Sequence, residues 1–74
     1  MNIQDLFNEY ETDSICVSDL GIIIQGARLD YIVKDEYGRI HYWGGNPETD
    51  KYAEEFVLEK EEERLVCEEI LEEI

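Results

Sequence analysis

Seventy-four residues with 20 acids against 6 bases, a formal net charge of −14, exclude nucleic acid and anionic membrane as direct partners, because both are polyanions. A hydrophobic fraction of 43% with eight aromatic residues excludes a disordered chain and leaves one small domain, residues 1–74, with a modest core. Small soluble domains manage with a charge magnitude of roughly 2–8, so the excess asks for a reason.

In chain order, residues 2–10 (NIQDLFNEY) place Ile3, Leu6, Phe7 and Tyr10 on one face of a short helix, which Asn2 can cap. From Ser14 to Trp43 the β-branched and aromatic runs SICVS, IIIQ, ARLDYIVK and RIHYW predict a three- or four-stranded antiparallel meander. Its turns fall at Asp19-Leu20-Gly21 and Asp35-Glu36-Tyr37-Gly38, and Gly26 marks a bend or a further turn. GGNPETD ends the sheet, with Asn46 as an N-cap and Pro47 at the first helical position. No glycine or proline follows, which predicts a long acidic C-terminal helix to Ile74. Lys60 and Glu63 interrupt its apolar stripe, so a break is expected near residues 60–63. The fold class is α+β.

KDEYGRIHYWGG, residues 34–45, holds the only histidine and looks most like a site. On the strand RIHYW, Arg39, His41 and Trp43 share one face, and Ile40 and Tyr42 the other. His41 has no nucleophile motif beside it and no second histidine, so it is expected to be packed or at the surface rather than catalytic. The acidic turn lacks the regular oxygen ligands of a calcium loop. The stretch reads as a hairpin whose tip, Asp35, Glu36 and Tyr37, offers two carboxylates and a phenol for binding. Cys16 and Cys67 stand 51 positions apart with no other ligand near either, which fits neither a zinc site nor a redox pair. Both are expected to be buried, reduced and unbonded. No catalytic residue, cofactor or metal is expected. No basic leader precedes an apolar stretch and no apolar run approaches 18 residues, so the expected location is cytoplasmic.

Projected on a helix, Tyr52, Ala53, Phe56, Cys67, Ile70, Leu71 and Ile74 form a core-facing stripe. Glu54, Glu55, Glu59, Glu61, Glu62, Glu68, Glu69, Glu72 and Glu73 fill the opposite side, with Leu58 and Leu65 among them. Glu48 to Ile74 spans about 40 Å as a helix and carries 12 acids, about one charge per 3.4 Å. That is close to the phosphate spacing along one DNA strand, so the face can imitate a nucleic-acid backbone.

The opening MNIQDL, the acidic balance, and the order of short helix, small antiparallel sheet and acidic helical C-terminus together resemble the small phage-encoded anti-CRISPR proteins. Those proteins mimic DNA and block type II CRISPR nucleases at the groove that reads the PAM. The resemblance implies a non-enzymatic inhibitor acting in a host bacterial cytoplasm on a basic nucleic-acid-binding protein, a CRISPR effector nuclease among the candidates. The partner-binding residues come from the charge map: the hairpin tip, the nine glutamates, Leu58 and Leu65. The alternative is an acidic interaction module that forms a homodimer, or docks a partner helix, through Leu58 and Leu65.

Overall fold

A computed structural model describes residues 3–72. Helix α1, Ile3–Tyr10, buries Ile3, Leu6 and Phe7, the i, i+3, i+4 set of an amphipathic turn. It closes in a Schellman arrangement: the Thr12 N–H donates to the Phe7 carbonyl and the Glu11 N–H to that of Asn8, with Glu11 left-handed at φ 48°. The expected cap Asn2 lies outside the described residues.

Strand β1 is Ser14–Cys16, and a single 3-10 turn follows over Ser18–Leu20. Strands β2 (Ile23–Ile24) and β3 (Ala27–Arg28) form a separate hairpin, closed by Gln25 and Gly26 at φ 52° and 84°. Positive φ at both central residues is the turn geometry whose twist matches a two-residue hairpin. Strands β4 (Tyr31–Lys34), β5 (Ile40–Gly44) and β6 (Glu54–Phe56) complete a four-stranded antiparallel sheet of order β1-β4-β5-β6. Helix α2, Glu61–Glu72, follows.

The run ARLDYIVK, expected as one strand, is divided at Leu29–Asp30. Asp30 makes the division: its N–H donates to the Trp43 carbonyl, its carbonyl accepts from Val17, and its carboxylate takes the Gly45 N–H and the Arg28 guanidinium. Leu29, freed from strand alternation, turns fully inward.

Register sorts the sheet into two faces. Ile15, Ile32, Tyr42 and Phe56 align in one row across all four strands on the inner face. Cys16, Tyr31, Trp43 and Glu55 form the matching outer row. The inner row packs with α1, Val17, Ile22, Ile24, Leu29 and Cys67 to make the core, and Ile40 and Leu58 lie against it. No charged residue among those described is buried.

The long C-terminal helix is not formed. Asn46 opens a tight turn instead, its side-chain oxygen accepting the Glu48 N–H while its carbonyl accepts from Thr49 and Asp50. The chain then re-enters the sheet as β6, where Phe56 opposes Tyr42. Residues 55–59 explain this: Phe56 and Leu58 point toward the core, and Glu55, Val57 and Glu59 are exposed, an alternation of period two. Strand pairing covers an edge of β5 and half-buries Phe56 against the core, whereas a helix would have stacked like charges one turn apart. The break expected near residues 60–63 falls where α2 starts, but a strand and loop precede it. Tyr52, expected in the core stripe, is 77% exposed. Cys67 is buried as expected. The side chains of Ile70 and Leu71, and all of Ile74, lie outside the description.

Candidate binding surface

The hairpin tip is built around Asp35. Its Oδ1 accepts the N–H groups of Tyr37 (2.9 Å) and Arg39 (2.8 Å), and Gly38 at φ 79° donates to its carbonyl. Its Oδ2 accepts from His41 Nε2 at 2.9 Å. The other ring nitrogen of His41, Nδ1, bonds Glu55 Oε1 on β6. Both ring nitrogens thus face carboxylates, which when ionised only accept, so the arrangement favours the doubly protonated imidazolium. The bond to Asp35 first and that to Glu55 second raise His41 above its ordinary value, against a smaller opposing effect of burial. The bond to His41, followed by the Arg39 N–H, holds the Asp35 carboxyl below its ordinary range.

This arrangement changes the roles expected of two residues, Asp35 and Glu55, and keeps that of His41. His41 is a half-buried pin joining the β4–β5 turn to the sheet edge, as its place among the strand aromatics indicates. Asp35 and Glu55, both expected to meet a partner, are engaged inside the molecule. Glu36 and Tyr37 are exposed at the tip, with the Arg39 guanidinium 5.9 Å from the Tyr37 ring. Glu55 could not be assigned this role from a helical projection, which put it on the acidic side of a helix.

Of the remaining acids, Glu54 is exposed on β6, Glu59 on the loop, and Glu61, Glu62, Glu68 and Glu69 on α2. The side chain of Glu72 and all of Glu73 lie outside the description. Leu58 is half-buried against the core, while Leu65 is 49% exposed on α2. They sit on different elements and do not share one helix face as expected. Three acids, Asp30, Asp35 and Glu55, take part in the ion pairs found among the described residues.

The six acids of α2 follow one another over about 18 Å of helix, about one per 3 Å. The linear density expected of a longer helix therefore persists over a shorter segment. Their neighbourhood with no base in the last turn leaves the C-terminal end of the helix dipole reinforced rather than offset.

Cys16 is exposed, not buried. Ile15 faces the core and alternation turns its neighbour outward, where the thiol lies 3.6 Å from Ser18 Oγ. Hydrogen bonding from the Ser18 backbone, then from its hydroxyl, lowers the Cys16 thiol, whereas burial raises that of Cys67. The two thiols do not face each other across the core. Among the described residues no helix is long and apolar enough to cross a membrane. No known protein family, curated protein or solved structure was found to match the chain.

Proposed function

We propose that the protein acts by binding rather than by chemistry, as an inhibitor that occupies the basic nucleic-acid-binding groove of another protein. One observation carries this reading: the exposed glutamates of α2, Glu61, Glu62, Glu68 and Glu69, fall at about one per 3.4 Å of helix axis over residues 61–69, close to the phosphate spacing along a nucleic-acid strand. Surface charge of one sign at that density attracts a groove built to neutralise phosphates, and speeds encounter with it. The resemblance of the opening residues and charge balance to anti-CRISPR proteins puts type II CRISPR nucleases first among targets to assay.

Competition tests it. Added to a basic nucleic-acid-binding enzyme with labelled DNA or RNA bound, the protein is expected to displace the label from at least one such enzyme. Displacement is expected to weaken as salt rises. Converting Glu61, Glu62, Glu68 and Glu69 together to lysine is expected to lower the apparent affinity at least tenfold. Failure to displace nucleic acid from any of a panel including type II CRISPR nucleases would remove the proposal.

A further inference from the structure

Two apolar clefts meet at Leu20. One, of about 500 Å³, lies between the β2–β3 hairpin and α2 and reaches buried Cys67. The other, of about 420 Å³, lies between α1 and β1 and includes Leu6 and Ile15. Leu20 lines both, so they form one strip, and its apolar side chains stand well out of the surface: Tyr10 is 62% exposed, Leu20 40% and Ile23 64%. Exposed apolar surface that is contiguous and rimmed by polar groups marks an interaction site more often than scattered single residues do.

The rim has one sign. Asp19, Glu62 and Glu63 line the clefts, and among the described residues no basic side chain does. Arg28, opposite Ile23 in the hairpin, is paired with Asp30. The wall is also fixed in place, because Gln25 Nε2 donates to the Val57 carbonyl at 3.0 Å and to Glu63 Oε2 at 3.3 Å. That ties the hairpin tip to α2 and keeps the first cleft formed without a ligand.

We propose that this strip is a docking groove for a cationic amphipathic segment of a partner protein, with large apolar side chains entering the clefts and lysine or arginine meeting Asp19, Glu62 and Glu63. Charge selects this occupant. A second copy of the chain would bring a further −14 against the same rim, and an anionic lipid surface would be repelled likewise. The proposal rests on the reading that the protein binds a basic protein, and adds that the grip is apolar as well as electrostatic. It does not require that the partner bind nucleic acid.

The test uses two synthetic peptides of equal positive charge. One carries leucine at helical spacing among lysines, and the other has glycine and serine in place of the leucines. With isotope-labelled protein, the leucine peptide is expected to shift amide signals of residues 19–25 and 62–67, and to bind at least tenfold more tightly. Ile23→Ser, at a position too exposed to hold the fold, is expected to weaken that peptide at least fivefold and leave its control unchanged. Equal affinity of the two peptides, or shifts confined to other surfaces, would overturn the proposal. So would self-association abolished by Ile23→Ser, which would assign the strip to a second copy. The failures are separable: displacement of nucleic acid with no preference for leucine sinks the groove alone, and the reverse sinks the mimicry alone.

Discussion

His41 shows how a single residue serves the fold when its neighbours are acids. Its imidazolium contributes fully below its ordinary value of 6.5, and that contribution disappears as pH rises through the raised folded value. Asp35 works in the other direction, contributing above its ordinary value of 3.8 and losing that as pH falls through its lowered folded value. The pin is therefore complete from about pH 3.8 to pH 6.5 and opens on the alkaline side. Wild-type stability is expected to decline more steeply above pH 6.5 than that of His41→Gln, measured by denaturation across pH. An imidazole signal titrating at or below 6.5 in the folded protein would refute the pin. The cysteines give a second test at this scale. One thiol, Cys16, is expected to react with a thiol reagent in the native protein, and Cys67 only after unfolding. No fast thiol would contradict the outward turn of β1, and two would contradict the burial of Cys67.

Among the elements, α1 and the β4–β5 hairpin were legible in the sequence because local signals there agree with tertiary packing. The apolar spacing of Ile3, Leu6 and Phe7 and the glycine-closed turn at Asp35–Gly38 each have one reading. The segment from Glu54 to Lys60 has two. Its glutamates, Leu58 and Lys60 favour helix by propensity, while Phe56 and Val57 favour strand, and only the free edge of β5 decides between them. That edge is not visible in the segment itself, so the site residues placed by helical projection moved with it. The turn at Asp35–Gly38 was placed correctly, but the second partner of His41 could not be seen, because Glu55 lies 14 positions away on the strand that was misread. The boundary can be tested with proline. Arg64 N–H bonds the Lys60 carbonyl, which makes Glu61 the first residue of α2. Proline is favoured at that position, so Glu61→Pro is expected to change stability by less than about 0.5 kcal/mol. Inside a continuous helix it would cost about 3 kcal/mol, a difference plainly visible in a denaturation midpoint.

At the scale of the whole molecule, charge and size act together. The chain measures 28 × 27 × 24 Å and holds a net −14. At 0.01 M salt the screening length is about 30 Å, so each acid feels every other across the protein. At 1 M it is about 3 Å, and only adjacent carboxylates still repel. Stability is therefore expected to rise with sodium chloride, the opposite of a fold held by exposed ion pairs. A domain of this length has about 4–11 kcal/mol to lose. Leu29 is completely buried, and Leu29→Ala is expected to remove about 2–5 kcal/mol of it. With repulsion unscreened, that deficit leaves little margin. Leu29→Ala is expected to show a substantial unfolded population at 0.01 M salt and to recover a cooperative transition at 0.5 M, followed by circular dichroism. A basic partner would do the work of the salt more strongly, because it neutralises the glutamates directly and binds only the folded form. Titrating such a partner into Leu29→Ala at low salt is expected to restore the folded signal at stoichiometric ratio. If neither salt nor a cationic partner stabilises the variant, self-repulsion is not what limits this fold, and the surplus of acids would need another explanation.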